Sequence, residues 1–180
     1  MKKKSALLGA LLCFFIVSAQ QPKKVKGTII KNYGETFEIV NPEYKTEIDS
    51  EFKVIFDVDK SSEDTSKVNR YIEVAANFLN MHANAGMKPE QLKVAMTIHA
   101  SAWKDVLNND AYKERFGVEN PNLELINELS DAGVDIIICG QAAAKRDMTR
   151  EEIIPNVKIA LSATTAIIQY QNKGYRFVKY

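Results

Sequence analysis

From Phe52 to the C-terminus, short runs of β-branched and aromatic residues alternate with segments whose apolar residues recur every three or four positions. That alternation narrows the possible folds more than any other feature of the chain. The first run, Lys53-Val54-Ile55-Phe56-Asp57-Val58, is almost continuously apolar, as expected of a strand covered on both faces. A polar, cap-rich cluster from Ser61 to Ser66 follows. Then Val68, Ile72, Ala75, Ala76, Leu79 and His82 form one apolar stripe ending at Gly86, which predicts a helix. Leu92 to His99 predicts a second strand, and the more polar stretch from Ala102 to Phe116 predicts partly helical structure. Asn120-Pro121 opens a helix through Leu123, Ile126 and Leu129 that stops at Asp131-Ala132-Gly133, and Val134 to Cys139 gives a third strand. Gln141 to Arg146 is helix-prone, and Thr149 and Glu152 have the spacing of a capping box for another short helix, broken by Pro155. Val157 to Leu161, Ser162 to Gln171 and Tyr175 to Val178 complete the pattern as strand, helix and closing strand. Parallel neighbours need crossovers of roughly a dozen residues or more, so the alternation predicts an α/β fold with a mainly parallel sheet. Strand order and the presence of an antiparallel edge stay open at this level.

Upstream the texture differs. Met1-Lys2-Lys3-Lys4, an apolar run from Ala6 to Val17, and Val17-Ser18-Ala19 before Gln20 match the three regions of a secretory signal, with cleavage expected after Ala19. An uncleaved anchor is the alternative, but the run is shorter than the roughly 20 residues that span a bilayer. Cys13 follows Leu11-Leu12 rather than a small residue, which argues against lipid attachment. Residues 1–19 are therefore expected to be a signal peptide, 20–51 an arm or loose hairpin with β-like runs at Thr28–Ile30 and Thr36–Val40, and 52–180 the domain proper. The destination is expected to be outside the cytoplasm, in the periplasm, with no membrane span left after cleavage. Loss of three lysines turns 24 basic against 23 acidic residues into 21 against 23, a net of about −2, which gives no basic face for nucleic acid. One cysteine, Cys139, would remain, so no disulfide can form within the mature chain.

In open parallel sheets ligands collect beyond the carboxyl ends of the strands, and His99 and Cys139 both stand at such ends. A thiol followed by the first amides of a helix sits in positive potential that favours thiolate, which suits sulfur chemistry. The plain alternative is that Cys139 is a small apolar residue finishing a buried strand. His99 is either a base or thiolate partner, or a histidine packed under a loop; His82, near a helix end, reads as structural. Positions 82, 99 and 139 have no metal-ligand spacing, and Asp57 and Asp59 read as loop-capping groups, so no metal is expected. Gly-rich phosphate loops, the Gly-x-Ser-x-Gly elbow and Cys-x-x-Cys are all missing, which disfavours nucleotide and thioredoxin-like chemistry; no cofactor is expected. Lys145-Arg146 and Arg150 could draw an anionic ligand towards the loop after Cys139.

The segment Ile138-Cys139-Gly140-Gln141-Ala142-Ala143-Ala144-Lys145-Arg146 resembles the DsrE/DsrF-like family, which includes the TusD-type sulfur-relay subunits. Phe56-Asp57-Val58, Asn77, Ile98-His99, Gly133-Val134-Asp135 and Gln171-Asn172-Lys173-Gly174-Tyr175 look like that family's recurring features in order, from about residue 52 to the end. The resemblance implies a three-layer α/β/α sandwich, assembly into homo-oligomers such as trimers or hexamers, and a cysteine that carries sulfur as a persulfide between donor and acceptor proteins. Cys139 is the matching residue; His99 and the amides near Gly140 and Gln141 are expected to stabilise its anion. The relay members work in the cytoplasm, whereas this chain is expected to be exported, so the resemblance leaves a rival open. That rival is a non-catalytic oligomeric module, binding a small ligand or a partner, with a structural Cys139. A nucleotide or flavin binder using the same crevice is a third reading.

Overall fold

The computed structural model describes residues 23–180, so the expected signal segment lies outside the described residues. Five strands form one parallel sheet: β3 (Phe52–Val58), β4 (Leu92–Ile98), β5 (Asp135–Cys139), β6 (Lys158–Ala160) and β7 (Arg176–Lys179), in the order β6-β5-β4-β3-β7. The central register pairs Val58 with Ile98 and Ile98 with Ile138, which brings three carboxyl ends to one edge.

The order explains the layers. From β3 to β6 the chain steps one strand at a time in one direction, and right-handed crossovers then put all the connecting helices on one face. Those are α1 (Arg70–Asn84), α2 (Asn109–Phe116), α3 (Leu123–Asp131) and α4 (Gly140–Ala144). Val54, Phe56, Val58, Met96, Ile98, Ile136 and Ile138 meet Ile72, Leu79, Ile126 and Leu129 there in the main core. The return from β6 to β7 runs the other way, so the same handedness sends α5 (Ala163–Asn172) alone across the opposite face. Its buried positions are Ala163 and Ala166, small enough to bring the helix close to the sheet. Ile55, Ala95 and Ile137 alternate with the core-facing residues and are buried on this second side. A three-layer α/β/α sandwich results.

The predicted elements stand within a few residues of their expected places, with three informative differences. The cap of α1 is Asn69, not a residue of the Ser61–Ser66 cluster: its carboxamide oxygen accepts from Tyr71 N at 2.9 Å. Thr149 and Glu152 do form half of a capping box, with Thr149 N donating to Glu152 Oε2 at 2.7 Å, but a turn follows rather than a helix. Ile153 and Ile154 are drawn into the core, and Ile153 bridges Leu107, so the chain stays extended. In the N-terminal arm the pairing is between β1 (Lys24–Val25) and β2 (Thr36–Phe37), antiparallel, while Thr28–Ile30 is not a strand. Asn80, fully buried on α1, takes the place of a strand partner there. Its oxygen accepts from Ile30 N at 2.9 Å, and its amide donates to the carbonyls of Ile30, Tyr33 and Gly34. Among the described residues no helix is long and apolar enough to cross a membrane.

Candidate functional site

Along the carboxyl edge, on the α5 side of the sheet, neighbouring strands present a row of four different groups: Cys139 ends β5, His99 follows β4, Asp57 lies near the end of β3 and Lys179 ends β7. Adjacent strands are about 4.8 Å apart, so the row is compact. Asp57 is its hub. Flanked by core-facing Phe56 and Val58, its side chain must point the other way, and it is 7% exposed. A carboxylate so placed needs donors on both oxygens. Oδ1 accepts from Thr97 Oγ1 at 3.1 Å and meets His99 Nε2 at 2.8 Å, while Oδ2 accepts from Lys179 Nζ at 3.1 Å. Lys179 also reaches Asp59 at 2.8 Å. The bond from Lys179 holds the Asp59 carboxyl below its ordinary range, and the bonds to Asp59 and then Asp57 raise the Lys179 ammonium above its own.

His99 is about a quarter exposed, so one part of the ring is fixed and another meets solvent. With Nε2–H donating to Asp57, Nδ1 is left as the proton acceptor; the carboxylate sets the tautomer, as in any acid-oriented imidazole. The backbone here is strained, since Ala100 has φ of 49°, a left-handed conformation that side chains other than glycine seldom adopt.

Cys139 is 8% exposed and directly precedes α4, a single five-residue turn. Its strand neighbour is Ala160 of β6, and the next residue explains why glycine is needed. A Cβ on Gly140 would lie 2.4 Å from the Ala160 carbonyl oxygen. Gln141 donates to the carbonyl of Leu161 at 3.3 Å, closing the same flank. The structure thus brings His99 and Cys139 to adjacent strand ends, each just past the paired Ile98 and Ile138, but points His99 Nε2 at Asp57 rather than at the thiol. His82 lies far from the edge, its Nδ1 against the Phe78 carbonyl and its ring packed on Phe52 and Phe78.

Asp57 and Lys179 do not read as site residues in the sequence, where Asp57 passes for a capping group. The available signal is a charge inside an otherwise apolar buried strand, which demands a partner. Behind the edge a second buried acid does similar service. Asp105, in the 3-10 turn Ala100–Val106, accepts from Ser61 at 2.8 Å, Asn69 at 2.7 Å and Asn122 at 3.2 Å, so it ties the loop after β3 to the starts of α1 and α3. Burial pushes its carboxyl up to about 6, against the pull of the Ser61 and Asn69 bonds.

Comparisons with known proteins agree with this architecture. Two solved structures share the fold: a protein of unknown function, MTH1491, from Methanobacterium thermoautotrophicum, and the ychN protein from E. coli. The first is 17% identical with a TM-score of 0.53, and 72% of this chain covers 100% of it. The second is 12% identical with a TM-score of 0.54, with 72% of this chain covering 99% of it. No curated protein matches the chain. The model of the DsrE/DsrF-like family matches residues 53–180, from the first strand of the parallel sheet through the last residue, and the chain belongs to that family.

Proposed function

We propose that the protein is an exported, periplasmic sulfur carrier in which Cys139 takes sulfane sulfur from a donor and hands it to an acceptor. Membership in the DsrE/DsrF-like family supports a sulfur-relay role, and the observation that carries the residue assignment is the position of Cys139, next to His99 at the carboxyl edge. In the uptake step the Cys139 thiolate attacks the outer sulfur of a donor persulfide R–S–SH. One S–S bond forms as another breaks, giving Cys139–S–SH and the donor thiolate R–S⁻. Release is the mirror step: an acceptor thiolate attacks the outer sulfur and regenerates the Cys139 thiolate, with no net oxidation. In this reading His99, oriented by Asp57, takes the thiol proton through its free Nδ1, and the amides of Gly140 and Gln141 bind the anion that forms. The donor and acceptor are proteins in this reading. The carrier works as a homo-oligomer, a trimer or hexamer, for which exposed Ile168 and Phe177 beside the α5 layer supply apolar surface.

The burial of Cys139 favours a second reading, an oligomeric binding module with a structural cysteine. Alkylation separates them. A carrier shows Cys139 modified by iodoacetamide near neutral pH in the folded protein, at a rate that falls in His99→Gln. Labelling that begins only with unfolding sinks the carrier and leaves the binding module.

A further inference from the structure

Beside the strand-end loops a cleft opens, about 850 Å³ in volume, between the loop after β3, the turn after β4 and the segment after α4. Its walls combine two kinds of side chain: the rings of Tyr71, Trp103 and Phe116, and the cations of Lys60, Lys104 and Arg146. Each cation rests on a ring. Lys60 Nζ lies 5.4 Å from the Tyr71 centroid, Lys104 Nζ 5.6 Å from Phe116, and the Arg146 guanidinium 5.1 Å from Trp103. Among the described residues none of the three forms an ion pair. Lys104 donates to the Ser62 carbonyl, and Arg146 to those of Ala142 and Ala100. Arg115, on Trp103 at 5.5 Å, differs because Glu152 neutralises it at 2.5 Å. The cleft itself contains one acid, Glu63.

Three cations around one cavity, with the single acid Glu63 among them and no ion pair to any of the three, leave an excess of positive charge, and rings hold cations only through the weak pull of their quadrupoles. A carboxylate, sulfonate or phosphate entering the cleft would offset that excess, while the exposed parts of the rings offer a flat apolar surface to whatever carries it. The volume suits a small organic molecule rather than a bare ion. We infer that this cleft binds a small organic oxyanion with a planar apolar body. Cys139 does not line this cleft, and the inference does not depend on the sulfur-carrier reading.

Trp103 is the only tryptophan in the chain, so its indole N–H gives one identifiable signal in a ¹⁵N–¹H correlation spectrum. The experiment titrates the protein with 2-naphthyl phosphate, and separately with inorganic phosphate and with 2-naphthol. Saturable movement of the indole signal is expected with 2-naphthyl phosphate at sub-millimolar concentration, with at least roughly tenfold weaker binding of either fragment. The double variant Lys60→Gln/Lys104→Gln should weaken binding by about tenfold or more, its fold checked by the dispersion of the same spectrum. Should that variant fail to fold, Glu63→Gln, which removes the only acid of the cleft, is expected to tighten binding. An indole signal that does not move, equal affinity for inorganic phosphate alone, or affinity unchanged in the charge variants would each overturn the proposal.

Discussion

At the scale of single residues, two buried acids, Asp57 at the carboxyl edge and Asp105 behind it, are satisfied by different kinds of partner. Asp57 has a cation at bonding distance, Lys179, and an imidazole that it orients. Asp57→Asn keeps the shape but exchanges one acceptor oxygen for a donor facing Lys179 or His99. Denaturant unfolding should show a loss of about 1–3 kcal/mol, and sulfur uptake should slow because His99 is no longer held in one tautomer. Asp105 has only neutral donors at bonding distance, so burial prevails and its carboxyl lies near 6, against an ordinary value of 3.8. Between those values the folded chain binds more protons at this site than the unfolded chain does. Its contribution to stability is therefore complete below pH 4 and is lost as pH rises through about 6, by up to about 3 kcal/mol. The stability difference between wild type and Asp105→Asn, measured at pH 4 and pH 7, should shift in favour of wild type at the lower pH. A difference independent of pH would mean that Asp105 titrates as an ordinary acid.

At the scale of elements, two single side chains decide where segments lie. Asn80 supplies the hydrogen bonds that would otherwise come from a strand, and Ile30, 1% exposed, fills the core beneath them. Asn80→Ala leaves buried amides and carbonyls unpaired, so it should cost roughly 2–4 kcal/mol and expose residues 23–37 to limited proteolysis before the sheet opens. Gly140→Ala should cost about 1–3 kcal/mol, because a methyl cannot occupy the space of the Ala160 oxygen without moving β6. These contacts also show what the sequence could reveal. The strands and the long helices were legible because each buries an apolar face with its own period, as in Phe52–Val58 and in the stripe from Ile72 to Leu79. The arm was legible only in part: a hairpin with a strand at Thr36 could be read, but not the docking of Ile30, whose partner is one polar residue 50 positions away on what looks like an ordinary helix face. The capping pair Thr149 and Glu152 misled for a related reason: a local signal for a helix was outweighed by burial of Ile153 and Ile154.

At the scale of the molecule, the alternation of elements predicted the parallel sheet, and handedness explains why one helix covers a face by itself once the strand order is known. The same order gathers Cys139, His99, Asp57 and Lys179 on one edge although they are spread over 123 positions of the chain, from 57 to 179. Of this row the sequence offered the cysteine and the histidine, which stand at visible strand ends; it concealed the acid and the lysine, whose pairing depends on β7 returning beside β3. The face that carries α5 leaves Ile168 and Phe177 exposed, and a homo-oligomer that buries them should elute and scatter light as a multiple of the chain mass, with Phe177→Asp shifting it towards monomer. The most direct test of sulfur carriage is the intact mass of the protein after exposure to a polysulfide donor, with and without later reduction, beside Cys139→Ser. A gain of whole sulfur atoms that is removed by reductant and absent in Cys139→Ser is the predicted result. An unchanged mass in the folded wild-type protein would contradict it.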